Sequence, residues 1–319
     1  MTELISPILV AFVIAVISGP IIIPMLKRLK FGQVVREDGP QSHLSKTGIP
    51  TMGGFIMLIA ATAAIFIFSN GIDYNVILFI VAFIGFGLIG FLDDFIKVVL
   101  KRSKGLNAKQ KAALILLLSL VLAFFIYKNV GGQLRLPFSD KTWDIGWWII
   151  PLSAFVLLST TNSANLTDGQ DGLLGGINLV YFAAYALIFA FAADGYSGNL
   201  VVVSAAMAGA SLGFLVFNSH PAKVFMGDTG SLALGGAMGI IALLSGTTIW
   251  VPFMALMTVA SSVSVIIQVG YYKRTKKRVF KMAPLHHHFE LLGHPEIKIT
   301  AMYIIITTVM CLIGILAIR

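Results

Sequence analysis

Residues 74–97 read YNVILFIVAFIGFGLIGFLDDFIK, an apolar run that stops on two adjacent aspartates and a lysine. As a helix it rises about 1.5 Å per residue, so Tyr74 and Asp93 lie roughly 28 Å apart, close to the thickness of a hydrocarbon core. The stretch therefore reads as a transmembrane helix whose acidic end sits at the membrane boundary. Residues 148–168 repeat the pattern: Trp148 and Asp168 would be roughly 30 Å apart by the same rise. Asp228 opens a further apolar segment, so all three reach a similar depth. A carboxylate at such a boundary is costly to desolvate and needs a cation, a partner or a function.

The rest of the chain supports a membrane reading. Of its 319 residues, 57% are hydrophobic and only 12% charged, and the mean hydropathy is +0.91. An ordinary soluble domain is excluded. Ten apolar windows are expected to span: 4–26, 52–70, 74–96, 109–127, 147–166, 172–192, 199–217, 229–247, 250–271 and 299–317. Nothing between them is long enough for a second domain, so residues 1–319 form one polytopic, all-α membrane domain. Met1–Ser18 carries Glu3 but no lysine or arginine, and the apolar run continues past Gly19-Pro20 to Leu26. It reads as a retained helix kinked near Pro20, not a cleaved signal. Cys311 is the sole cysteine, which excludes an intramolecular disulfide or a cysteine metal cluster.

Ten spans put both termini on one side, and the distribution of basic residues chooses the side. With the termini outside, 19 of the 23 lysines and arginines fall in inner loops, and only Lys128, Arg135, Lys141 and Arg319 remain outside. The same arrangement gathers all six histidines inside, together with Asp93, Asp94, Asp168, Asp171 and Asp228. Among the outer segments only Gly131–Gly146, with its LRLPFSDKTWDIG, suggests structure: a small outer β-hairpin. The inner segment KRTKKRVFKM (273–282) suggests an interfacial helix lying on anionic headgroups.

Three inner stretches carry chemistry. Asp93-Asp94 ends a helix, where the dipole disfavours negative charge. Adjacent helical residues point about 100° apart, so the two are expected to differ in role. Asn162-Ser-Ala-Asn165-Leu-Thr-Asp168-Gly-Gln-Asp171-Gly172 joins two spans; turn and cap formation explains some of it, but not so many amides and carboxylates together. Gly227-Asp228-Thr229-Gly230-Ser231 leads into a helix, where Asp228 is a cap or a ligand of Mg²⁺ bridging phosphate oxygens. Pro284-Leu-His286-His287-His288-Phe-Glu290 lacks zinc spacing, so its imidazoles are better suited to phosphate or sugar oxygens. Lys46, Lys97, Lys101 and Lys109 are candidates to neutralise phosphates.

The stretches KTGIPTMGG (46–54), GFLDDFIK (90–97), NSANLTDGQDG (162–172), GDTGSLALGG (227–236) and PLHHHFE (284–290) together resemble the polyprenyl-phosphate N-acetylhexosamine-1-phosphate transferase superfamily. PLHHHFE is similar to its muramoyl-pentapeptide branch, and the resemblance covers essentially the whole chain. Gln170 stands where that family more often has leucine. The resemblance implies a multi-pass protein of the bacterial cytoplasmic membrane with its active site on the cytoplasmic face. Undecaprenyl phosphate would attack UDP-MurNAc-pentapeptide, giving lipid I and UMP with Mg²⁺ as cofactor.

In that scheme Asp228 holds the metal, Asp93 orients or deprotonates the lipid phosphate, and Asp94 supports it. His287 is counted as catalytic, with His286, His288 and nearby lysines on the sugar and phosphates. Asn165, Asp168, Asp171 and Phe225 would lie near the uridine, with Phe225 stacked on uracil. Thr51, Asn162, Asn218 and Gln268 complete the expected substrate-binding set. The family also implies a homodimer in membrane lipid; no nucleic-acid partner is expected. Direct attack by the lipid phosphate is favoured over an aspartyl-phosphate intermediate, because the lipid phosphate is already anionic. The rival readings are a UDP-N-acetylglucosamine phosphotransferase and, in another class, a lipid or ion transporter. Transporters place ionisable groups near the bilayer midplane, whereas here they cluster at one boundary.

Overall fold

The computed structural model describes residues 2–29, 46, 48–99, 105–139, 141–191 and 198–318. Lys101 lies outside the described residues. Among these residues twelve α-helices follow one another: α1 (Thr2–Arg28), α2 (Gly54–Phe68), α3 (Tyr74–Val99), α4 (Ala108–Asn129), α5 (Ile149–Thr167), α6 (Leu173–Phe191), α7 (Gly198–Asn218), α8 (Gly227–Leu244), α9 (Val251–Met254), α10 (Leu256–Thr275), α11 (Leu285–Leu291) and α12 (Glu296–Ala317). Between α4 and α5, β1 (Gln133–Arg135) and β2 (Thr142–Asp144) pair antiparallel, with Leu134 opposite Trp143.

Among the described residues, eight helices are long and apolar enough to cross a membrane, so the chain is a multi-pass, all-α membrane protein. Two windows differ from expectation. The segment over 52–70 gives a 15-residue helix, about 22 Å long. The segment over 250–271 is not one helix: α9 and α10 meet at an angle of 81°. The thiol of Cys311 on α12 lies 3.8 Å from the Met254 carbonyl at this break. A β-carbon on Gly314 would lie 2.9 Å from Met254, so α12 seats directly against α9. α1 runs unbroken through Pro7, Pro20 and Pro24.

The expected interfacial helix over 273–282 does not form. Its first residues end α10, Lys276 turns left-handed at φ 58°, and the chain is irregular as far as Pro284. Five like charges in KRTKKR (273–278) oppose a helix there. The short helix is α11 instead, and it carries the three histidines.

α8 is the axis of the bundle. It packs on α3, α5, α2 and α6, and 89% of its apolar window is buried within the protein. Small residues make this possible: a β-carbon on Gly235 would lie 2.6 Å from Thr161, and one on Gly239 2.6 Å from Thr160. Gly230 and Gly54 bring the starts of α8 and α2 together in the same way. The close crossing of α3 and α8 sets the end of one helix beside the start of the other, where the acidic motifs lie.

Candidate active site

Asp93 and Asp94 on α3 meet Asp228 on α8: one carboxylate oxygen from each lies within 4.8 Å of the others. Both α3 aspartates are buried, and both face the group despite their angular offset. Asp94 accepts from the Thr229 amide at 2.9 Å and its hydroxyl at 2.8 Å, so it caps the start of α8 from outside. Asp93 accepts from the Leu106 amide at 2.9 Å, which draws the chain entering α4 onto the site. A β-carbon on Gly105 would lie 2.6 Å from the Asp93 carboxylate, so this approach needs glycine.

Two lysines enter the acidic group. The Lys97 ammonium is 2.5 Å from Asp93, 2.9 Å from Asp228 and 3.7 Å from Asp94. Lys111 on α4 is 2.7 Å from Asp228. Lys109, expected here, is exposed. Residues two apart on a helix point about 200° apart, so only one of the pair can reach Asp228. Asn107 caps α4 with a reciprocal Gln110 contact, which fixes where α4 begins and which lysine turns inward. Asn165 on α5 donates to Asp228 at 2.8 Å and lies 2.9 Å from the Ser231 hydroxyl. In this structure its amide holds the acidic group. Thr51 also borders it: a β-carbon on Gly227 would lie 2.7 Å from the Thr51 hydroxyl and 2.6 Å from Asp94.

Asp168 caps α5. Burial pushes its carboxyl well above the usual range, and the charges of Asp228 and Asp94 push the same way. Asp168 thus senses the first group, whereas Asp171 joins a second one, correcting the expectation that all five carboxylates share one cluster. Lys46 bridges Asp171 and Glu296, each at 2.6 Å. His220 lies 3.1 Å from Asp171 and 4.0 Å from Glu296. The Ala222 amide donates to Asp171 at 3.0 Å. Burial raises the Asp171 carboxyl, but the bond from Lys46 and the Ala222 amide outweigh it and leave it below the ordinary value. For Lys46, burial works downward and the two carboxylates more than reverse it, leaving it raised.

Phe225 borders this second group, its ring centroid 5.8 Å from the Lys46 ammonium. Asn218 braces it, accepting from the Gly172 amide at 3.1 Å and donating to the Val224 carbonyl at 2.9 Å. Asn162 is exposed and donates to the Leu158 carbonyl one turn back.

The histidine helix leans on the turn between α5 and α6. His286 is fully buried, and its ring lies so near Gly169 that a β-carbon there would meet it. His287 pairs with Glu290 at 2.9 Å. His288 accepts from the Lys281 amide at 3.1 Å and meets Phe280 edge-on. Gln268 differs from its expected role. Its carbonyl accepts from the Val279 and Phe280 amides at 3.0 and 2.9 Å, and its amino group donates to the Phe280 carbonyl. It holds the loop leading to α11. Sequence reading missed Lys111, Glu296 and the part played by His220; the spacing of Lys109 and Lys111 was the only available signal for the first.

The acidic group suits a divalent ion. Its potential ligands are all carboxylate oxygens, the hard donors that Mg²⁺ prefers, and they already hold cationic nitrogens at close range. The second group is chemically different, because Lys46 supplies its cation.

These features fit a membrane transferase that acts on phosphorylated substrates. A family model, glycosyl transferase family 4, matches residues 76–246, which include both Asp93-Asp94 and Asp228. The chain is 45% identical to a phospho-N-acetylmuramoyl-pentapeptide-transferase of Clostridium novyi (strain NT), over 99% of this chain and 97% of that protein. It is 46% identical to the Clostridioides difficile (strain 630) protein of the same name, over 99% and 98%. For that of Caldanaerobacter subterraneus subsp. tengcongensis the identity is 47%, over 96% of each. The chain belongs to the phospho-N-acetylmuramoyl-pentapeptide-transferase family.

Proposed function

We infer that the protein transfers phospho-MurNAc-pentapeptide from UDP-MurNAc-pentapeptide to undecaprenyl phosphate, giving lipid I and UMP in peptidoglycan synthesis. The observation that carries this reading is the convergence of Asp93, Asp94 and Asp228 with Lys97 and Lys111, from three helices, beside the Asn165–Asp168 segment. Exchange at a phosphoanhydride needs charge neutralisation and in-line placement more than covalent assistance. The test is mass spectrometry of lipid products after incubation with both substrates. Lipid I is expected; product only from UDP-N-acetylglucosamine would overturn the reading.

Asp228, with Asp93 and Asp94 near enough to share it, would hold Mg²⁺. There the bound metal would supply positive charge to phosphate oxygens and to the departing UMP. Asp93 orients or deprotonates the lipid phosphate, and Lys97 and Lys111 neutralise phosphate charge. Lys46, Asp171, Asn218 and Phe225 form the uridine side, and Phe225 offers a ring for the base. His287 and His288 line the sugar side, while the buried His286 packs against Gly169. EDTA should stop turnover and Mg²⁺ restore it; metal-independent turnover would remove the ion from the scheme. Direct attack predicts no UMP release without lipid phosphate, and a stoichiometric UMP burst would favour an aspartyl-phosphate.

The same reading takes ten spans, counting α2 and the broken α9–α10 pair, with both termini and the β1–β2 ladder outside. The active site then faces the cytoplasm from the bacterial inner membrane, and the protein works as a homodimer. The asymmetry of basic residues supports this orientation. Labelling of single-cysteine variants from either side of sealed vesicles tests it.

A further inference from the structure

Glu296 begins α12, six residues past the PLHHHFE stretch and outside every motif read as functional. One oxygen of its carboxylate, Oε1, accepts from the Lys46 ammonium at 2.6 Å and from the Asp171 backbone amide at 2.6 Å. Its other oxygen lies 4.0 Å from His220 Nδ1. One turn on, the Thr300 hydroxyl donates to the Asp171 carbonyl at 3.3 Å. The first turn of α12 therefore grips Asp171 through both its backbone amide and its carbonyl. It also shares Lys46 with the Asp171 side chain, and it joins the 46–54 segment, the turn between α5 and α6, and α12. A carboxylate also belongs electrostatically at the start of a helix.

We propose that Glu296 is a positioning residue for the nucleotide side of the donor site: it holds Lys46 and Asp171 in the geometry that receives the donor. This rests on the functional reading above, in which those two residues face the uridine. Without Glu296, Lys46 keeps one anchor in place of two, and the Asp171 amide loses its acceptor. The acidic group around Asp228 shares no hydrogen bond with Glu296 among the described residues. Loss of Glu296 should therefore weaken donor binding and spare lipid binding and chemistry.

The test uses the full chain in detergent, with donor and undecaprenyl phosphate varied separately. Glu296→Ala is expected to raise donor KM about tenfold or more, the scale of a lost charge-assisted bond. The lipid KM and kcat should stay within about threefold, a split that a general loss of packing does not produce. Glu296→Gln keeps an acceptor for the Asp171 amide and should raise donor KM less. In a Lys46→Met background, Glu296→Ala should add much less than in the wild type, because the two act through one contact.

UMP affinity measured by calorimetry should fall by a similar factor, with no turnover required. Donor KM and UMP affinity within twofold of wild type in Glu296→Ala would overturn the proposal, as would equal loss for both substrates. If the alanine variant does not fold, the same criteria apply to Glu296→Gln. Absence of lipid I from the wild type would instead defeat the functional reading, and UMP calorimetry would still decide the role of Glu296.

Discussion

Gly90→Ala tests whether the crossing of α3 and α8 sets the chemistry. Gly90 lies one turn before Asp94, where α3 meets the first residues of α8. A β-carbon there would lie 2.7 Å from the Thr229 amide nitrogen and closer still to the Asp228 carbonyl. Ordinary contact begins at 3.4 Å, so relieving the Thr229 contact alone needs roughly 0.7 Å of separation, and the Asp228 carbonyl demands more. Both obstacles are backbone and cannot swing aside. Overpacking of this kind costs about 1–3 kcal/mol, and a displacement near 1 Å in a catalytic array costs about a hundredfold in rate. Gly87, one turn earlier, is the control: its β-carbon would meet only the flexible end of Leu58 at 3.3 Å and the Ala233 side chain at 3.4 Å. The assay is the initial rate of lipid I formation, with thermal unfolding measured on the same preparations. Gly90→Ala should lose about two orders of magnitude while still folding, and Gly87→Ala should stay within about threefold of wild type. Equal activity in the two variants would refute the claim that this crossing sets the carboxylate geometry.

Asp228→Asn and Asp93→Asn should each abolish transfer while the protein remains inserted and folded; turnover near the wild-type rate in either would undo the site assignment. Lys111→Met should reduce the rate at least about tenfold, as loss of a charged bond to Asp228 implies, whereas Lys109→Met should change little; the reverse order would show that α4 presents its other face. Gln170 is buried and its amide atoms have no hydrogen-bond partner among the described residues, so Gln170→Leu should raise stability by about 1–3 kcal/mol; a lower unfolding temperature would contradict this. The Lys46–Asp171 pair also has a defined pH window. The depressed Asp171 carboxyl contributes stability above its unfolded value near about 4, lost as pH falls through its lower folded value. The raised Lys46 contributes below its unfolded value near about 10.4, lost as pH rises through its higher folded value. The stability difference between wild type and Lys46→Met should thus be flat from about pH 5 to 9; a collapse between pH 6 and 8 would show that another group governs the pair.

The apolar windows and motif ends were legible because bilayer thickness and charge cost act on sequence directly. That is why Asp93 and Asp228, 135 residues apart in number, were expected to meet at one boundary. Orientation within an element was harder to read. Lys109 and Lys111 have the same chemistry, and only the start of α4 at Asn107 decides which faces Asp228. Asp168 and Asp171 are three residues apart, but α5 ends at Thr167, just before both, so helical spacing does not place them on one face. The break at Ala255 left no proline or glycine at that residue, and hydropathy is blind to a bend whose contacts lie on α12. Gln268 is polar within an apolar span, as a ligand-binding residue would be, but its partner is the backbone eleven and twelve residues onward.

The central position of α8 bears on how an inhibitor of this enzyme could be evaded. Gly230, Gly235, Gly236 and Gly239 are each closed off by neighbouring atoms within 3 Å of any added carbon. Substitutions there would cripple the enzyme before they repelled a drug. Viable escape variants should arise on the periphery instead, on the exposed face of α4 or in the loop before α11, and a compound gripping only the Asp228 end of α8 would leave resistance few routes.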